Sequence, residues 1–494
     1  MSSSDIYDII IIGGGVTGCT IARALCKYDL KVCLLEKEAD IASGTTKANS
    51  GVVHAGYAAD RKYVKRDLCI RGNKLYTQAA KELNFPFSRI GSFVCAVEPD
   101  QIKGLEEERK KGIEDGIHDL ELILDKEKIR ELEPNLTDKV LAVLHAPSAG
   151  IVSPYEMTFA LAENAAMNGV KFFRNHEVIK IDHMDYTFTV TTRRGKFKGR
   201  NLINCAGLYA GKISKMLGLD YFDIMPRKGE YVLFDRNEIQ LNKILFPVPT
   251  KISKGILVCP TMHGNTFAGP NAQNITDKED TATTTAGLKE VLEGGKELIP
   301  NLPLRASIRN FAGLRAVPDG YDFIIDNTDI YGFINVAGIL SPGLTSCYAI
   351  AEKVLEFLEL LGVQLKEKEN YNPIRPKPQR LADMSKEELD SKIKENPAWG
   401  RIICRCETIP EAEILNAIHA PVGATTVDGI KFRCRPGMGR CQGGFCRPRV
   451  MEILARELHL PYQAITKKGE DTNLLVAKTK DVRLKEIKES VANQ

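Results

Sequence analysis

Asp8-Ile9-Ile10-Ile11-Ile12, followed at once by Gly13-Gly14-Gly15-Val16-Thr17-Gly18, decides how this chain begins to fold. Four consecutive β-branched residues suit a strand buried on both faces, and the residues after Gly15 read as a helix to about Tyr28. Strand, glycine turn and helix form a dinucleotide-binding fingerprint. Gly13 permits the tight turn, Gly15 lets the backbone approach a pyrophosphate, Gly18 lets the helix pack close, and the phosphates sit on the helix N-terminus beside Thr17. A second strand, Lys31–Leu35, ends in Glu36, 18 residues after Gly18, whose carboxylate can accept from ribose hydroxyls; Lys37 follows it.

FAD and NAD share this fingerprint, so the choice between them comes from further along the chain. Gly332-Phe-Ile-Asn-Val-Ala-Gly338-Ile-Leu-Ser341-Pro-Gly343-Leu344-Thr345 is a second strand, glycine turn and helix, some three hundred residues downstream. Two such elements closing one site around a long insertion fit an extended dinucleotide and suggest FAD. Arg200–Gly207, ending in Ala206 and Gly207, reads as a third strand and turn, and Glu177–Ile181, with Val178, as a strand nearby. The helix after Ser341 and Thr345 would present its N-terminal amides to the anionic end of a reduced flavin.

The bulk composition narrows the field. At 494 residues, 43% hydrophobic and 27% charged, the chain suits a soluble protein of two or three domains. A net charge of +4 gives no reason to invoke nucleic acid or a polybasic membrane surface. The N-terminus lacks a signal-peptide pattern, and no apolar run approaches the roughly 18 residues needed to span a bilayer. The expectation is a cytoplasmic protein that meets a membrane only through a partner.

Chemistry-bearing residues gather in two places. Ser43-Gly-Thr45-Thr46-Lys-Ala-Asn-Ser50-Gly51-Val-Val-His54-Ala-Gly-Tyr57 is a small-residue loop whose amides can approach a flavin. It offers His54 as a base, with Ser50 four residues earlier to orient it. Arg315, in the apolar stretch Phe311–Val317, can grip an oxyanion bidentately, with Lys254 and Lys228 as further cations. In the tail, Cys404-x-Cys406 and Cys441-x4-Cys446 contribute four of the five cysteines crowded between 404 and 446, out of thirteen in the chain. The remaining thiol, Cys434, is not needed for a four-ligand set. Four cysteines suit either a [2Fe-2S] cluster or structural zinc, although zinc pairs usually have two to four residues between them, against the one between Cys404 and Cys406.

Together, Ile12–Glu36, Ser43–Tyr57, Ala312-Gly-Leu-Arg315 and Ser341–Thr345 resemble the D-amino-acid-oxidase-like flavoprotein superfamily. Within it, the glycerol-3-phosphate dehydrogenase/oxidase branch is the nearer match and L-2-hydroxyglutarate dehydrogenases are relatives. Ile402–Glu457 resembles the bacterioferritin-associated-ferredoxin-like [2Fe-2S] domain.

The resemblance implies an α/β fold: a doubly wound, Rossmann-like FAD domain (about 5–75, 146–210 and 331–365), a mixed-sheet cap (about 76–145 and 211–330) and a small helical iron–sulfur domain (396–465). A linker over 366–395 and a tail over 466–494 complete the chain. It further implies FAD and a [2Fe-2S] cluster held by Cys404, Cys406, Cys441 and Cys446. The expected reaction is hydride transfer from glycerol 3-phosphate to flavin N5. Electrons then leave through the cluster to an acceptor protein or a companion NAD(P)-linked flavoprotein subunit. A 2-hydroxy acid dehydrogenase, an amine dehydrogenase and a non-catalytic electron-transfer subunit stay open as alternatives.

Overall fold

The computed structural model describes residues 6–249 and 255–480, so Lys254 lies outside the described residues. The chain forms two compact units: residues up to Lys37 with Ile41–Lys377, and Glu38–Asp40 with the chain from Pro378 onward.

In the first unit, the opening isoleucines build the strand Ile6–Ile12, in which Ile9, Ile10 and Ile11 are fully buried. It lies parallel between Val32–Leu35 and Gly195–Asn204, with Lys171–Phe173 beyond the former and Phe333–Ala337 beside the latter. Helices Val16–Leu25, Pro154–Met167 and Gly343–Leu360 pack on this eight-stranded sheet. This is the doubly wound arrangement that the glycine turns foretold.

Among the described residues the second sheet has nine strands and is mixed. Ile224–Phe234 runs antiparallel to Ser307–Pro318 along nearly its whole length, whereas Ile244–Pro247 pairs in parallel with Ser92–Ala96. Its core joins Phe93, Val143, Phe234, Leu245, Val258 and Val291.

Two boundaries differ from the sequence reading. Ile324–Asn327, counted with the cap, pairs with Phe333–Ala337 and belongs to the cofactor sheet. The expected 366–395 linker is largely structured. Residues 366–375 run against the first unit through Asp29 N–H to Lys366 O (2.8 Å), Arg375 to Glu163 (2.6 Å) and Asn164 to Asn372 O (3.1 Å). Lys386–Glu395 is a helix, opened by a Ser385/Glu388 capping box, whose Leu389 and Ile393 pack on Trp399. The lysines and glutamates of 386–395 form the solvent face of that helix.

The second unit is small and helical. Glu411–His419, Val427–Cys434 and Arg447–Glu457 surround Ile414, Ile430, Val450 and Leu454, and the short hairpin Ile402–Cys404/Ile409–Pro410 opens it. Among the described residues, no helix is long and apolar enough to cross a membrane.

Candidate active site and cluster loop

The N-terminal turn is tight for steric reasons. Gly13 has φ +109°, and a Cβ there would lie 2.3 Å from Cys205 O; a Cβ on Gly18 would lie 2.1 Å from Gly13 O. Real Cβ atoms do not approach so closely, so both positions require glycine. Gly15 faces only Thr46 Oγ1, at 3.3 Å, and Gly207 (φ +56°) faces nothing within 4 Å. This leaves open space on the cradle side, as an incoming phosphate and adenosine need.

The helix N-terminus holds a long-range cap: Val16 N–H donates to Thr46 Oγ1 at 2.9 Å. Gly14 N–H donates to Glu36 Oε2 at 2.6 Å, so the buried Glu36 carboxylate is fixed at the end of its strand. Thr17 is buried on the same helix, and Val178 is buried at the start of its strand. Lys37 pairs with Glu279 at 3.1 Å and sits over the Tyr209 ring at 4.3 Å. These residues fit an extended dinucleotide.

The loop bearing His54 is locked at both ends. Thr45 Oγ1 donates to Leu314 O at 2.7 Å, and a Cβ on Gly313 would lie 1.9 Å from Ala48 O, so the loop rests on the strand that carries Arg315. Asn49 Nδ2 donates to Thr46 O at 2.7 Å, and Gly51 N–H donates to Asn49 Oδ1 at 2.8 Å, with Gly51 at φ +65°. His54 N–H donates to Thr345 Oγ1 at 2.9 Å, and Asn73 Nδ2 donates to His54 O at 2.9 Å. The half-buried imidazole lies 6.0 Å from the Phe246 ring. Tyr76 OH donates to Leu344 O, which ties the same helix N-terminus to Val64–Leu83. Gly338 supplies the positive φ (+63°) before Ser341, and Gly343 N–H closes the turn on Leu340 O at 2.7 Å.

Arg315 is half-buried and pairs with no carboxylate among the described residues. Lys228, by contrast, is buried and already neutralised by Asp280 at 2.8 Å, so it is a structural cation. Ser50 lies close enough to the Tyr231 hydroxyl to lower its pKa, rather than standing only as a support for His54.

Tyr231 is the residue the sequence reading missed. It is 4% exposed, its ring stacks on Phe311 at 4.7 Å, and burial pushes its hydroxyl up to about 12, partly offset by Arg315 and Ser50. The strand register explains its place. Tyr231 lies opposite Phe311, Gly229 opposite Gly313, and Arg227 opposite Arg315, so an aromatic pair and an arginine pair flank two glycines, on which Pro270 and Ala48 of the His54 loop pack. Only knowledge of which strands pair could have found it.

In the second unit the four tail cysteines stand as two pairs. Cys406 and Cys441 sulfurs are 3.6 Å apart, and Cys446 lies close enough to Cys404 to lower its pKa. Cys446, then the amides of Gly437 and Glu407, bring Cys404 down to about 6 against the opposing effect of burial. Burial raises Cys441, but the amides of Phe445, Gly443 and Gly444 and the Cys406 thiol outweigh it, and the net shift is downward. Amides aimed at sulfur stabilise thiolates and suit a sulfur-rich cluster. Among the described residues no three ligand side chains close on a single point, and two sulfur pairs fit a dinuclear centre better than one tetrahedral ion. Cys434 is a core thiol, 7% exposed, donating to Ile430 O at 3.5 Å.

The cradle, the insertion over it and the cysteine loop define a flavin-linked, iron–sulfur oxidoreductase. Comparison with known proteins agrees: the chain belongs to the FAD dependent oxidoreductase family, matched over residues 8–356, and carries a BFD-like [2Fe-2S] binding domain, matched over 402–456. Its cofactors are FAD and a [2Fe-2S] cluster. It is 45% identical over 476 residues to a glycerol 3-phosphate dehydrogenase from Caloramator mitchellensis, covering 96% of this chain and 99% of that one. It is 34% identical to a glycerol 3-phosphate oxidase from Mycoplasma genitalium, covering 74% and 97%. Among solved structures, the dithionite-reduced, FAD-bound L-alpha-glycerophosphate oxidase from Mycoplasma pneumoniae matches with TM-score 0.71 and 32% identity, over 75% of this chain and 98% of that one.

Proposed function

We propose that this enzyme oxidises sn-glycerol 3-phosphate to dihydroxyacetone phosphate and sends the electrons out through its iron–sulfur domain to a separate acceptor. The observation that carries the reading is Arg315, a half-buried guanidinium without a carboxylate partner among the described residues, on the strand against which the His54 loop is fixed. The relatives named for glycerol 3-phosphate support it over most of the chain. When bound, FAD supplies a two-electron acceptor and the cluster a one-electron carrier, a pairing that suits a dehydrogenase.

Within this reading, the His54 imidazole takes the proton from the substrate hydroxyl. Arg315 holds the phosphate through paired N–H donors, and Lys254 adds a second cation. The Tyr231 hydroxyl, beside Ser50, is raised by burial, stays protonated and so can donate to a phosphate oxygen. Gly13, Gly15, Thr17, Gly18, Glu36, Lys37, Thr45, Thr46, Gly51, Val178, Ala206, Gly207, Gly338, Ser341, Gly343, Leu344 and Thr345 surround the dinucleotide. Cys404, Cys406, Cys441 and Cys446 are the cluster ligands.

Glycerol 3-phosphate added without oxygen should bleach the flavin absorbance; an unchanged spectrum rejects the proposal, and bleaching by L-2-hydroxyglutarate alone would move the substrate to the 2-hydroxy acids. His54→Gln should keep its FAD and slow that bleaching by about 10²–10⁴, the usual size of a general-base contribution.

A further inference from the structure

The segment Arg433–Arg449, which contains Cys441 and Cys446, carries five arginines and no aspartate or glutamate. Two of them are spent inside the module: Arg433 is buried, and Arg435 lies on Glu407 at 2.8 Å with both side chains covered. Arg449 is exposed, Arg447 is half-exposed, and Arg405, next to Cys406 in the chain, is exposed with no ion-pair partner among the described residues. Glu452, one turn along the following helix, touches Arg449 only at 3.4 Å between two exposed side chains, a contact that water screens.

Between Arg440 and Arg447 in the chain stands Phe445, 85% exposed and directly before Cys446, with its backbone amide facing the Cys441 sulfur, itself 3.6 Å from that of Cys406. A phenylalanine left in water within the cysteine loop is unusual unless something covers it, and aromatic and arginine side chains together characterise interface centres.

We infer that the surface carrying Arg405, Cys406, Phe445, Arg447 and Arg449 docks an acidic, one-electron redox protein, with Phe445 as the apolar anchor and the arginines steering approach. This inference rests on the electron exit proposed above. Charge complementarity selects the occupant: an acidic surface gains from these arginines, whereas a basic surface is repelled. Oxidation of the alcohol carbon to a ketone releases two electrons and two protons. Each docking event carries away one electron, so two oxidised acceptor molecules are reduced per substrate and the protons pass to solvent.

The test uses the holoenzyme reduced by glycerol 3-phosphate, with acidic cytochrome b5 and basic cytochrome c as probe acceptors. Cytochrome b5 should be reduced faster, and its second-order rate should fall by roughly tenfold between low and physiological salt. Arg449→Glu and Phe445→Ala should each slow its reduction several-fold while flavin bleaching and the visible spectrum of the cluster stay unchanged. Equal rates with both cytochromes, or a rate indifferent to salt and to both variants, would overturn the docking face while leaving the electron path intact. A flavin that bleaches while the cluster stays oxidised would overturn the electron path itself, and the docking face with it.

Discussion

The two glycine-rich turns that flank the two cofactors use glycine for different physical reasons. At the N-terminal turn the constraint is space: a Cβ on Gly18 would sit 2.1 Å from Gly13 O, although Gly18 itself has no positive φ. At Gly437 and Gly443 of the cysteine loop the constraint is direction: both hold φ +89°, yet a Cβ on either would meet nothing closer than 3.3 Å, whereas Gly439 between them faces Cys406. One turn is a packing joint between strand and helix. The other bends the backbone so that its amides face sulfur. Space constraints resist any side chain, whereas direction constraints cost only the strain of a positive φ.

That contrast can be broken by substitution. Gly18→Ala should be the most damaging change, because the helix must leave the turn; we expect a loss of about 3 kcal/mol or more and purified protein with little FAD, read as the flavin-to-protein ratio. Normal flavin content would show that the helix can shift after all.

The next effect belongs to the C-terminal module alone. Burial raises the Glu413 carboxyl to about 7, while Leu381 N–H donates to its Oε1 at 2.8 Å. Because the folded pKa lies above the ordinary 4.5, the protonated form favours folding, and that stability is lost as pH rises from about 4.5 through about 7. Glu413→Gln should remove the dependence and stabilise the module by about 2 kcal/mol at pH 8, measured as its thermal midpoint against pH. An unchanged pH profile would mean that Glu413 ionises without cost. Smaller still, Gly443→Ala should cost about 1 kcal/mol and keep its iron, as a strained but sterically possible alanine does. Gly444→Ala, at a position without positive φ and with Cys441 O at 3.3 Å, should lie within about 0.5 kcal/mol of the parent.

The sequence exposed the parts of the site that are contiguous. Gly13 to Gly18, the helix after Gly343 and the cysteine loop each lie within a dozen or so residues, and their residue types answer local demands for a turn, an amide or a thiolate. It was less informative where partners are distant. Ser50 read as a support for His54 because the two are neighbours in the chain, whereas the fold brings it to Tyr231, 181 residues away. Lys228 looked like a substrate cation until Asp280 was seen beside it. The proline- and lysine-rich stretch after Leu365 looked loose because the asparagines and Glu163 that hold it belong to another part of the chain.

The amino-acid sequence by itself determined the two cofactor modules, because nucleotide cradles and cysteine loops are built from backbone conformations that short segments impose. Only the tertiary structure decided which side chains share the substrate face. Tyr231, Arg315 and the His54 loop meet through the register of two long antiparallel strands, Gly229 opposite Gly313, and a shift of one residue would turn every one of those strand side chains to the other side of the sheet.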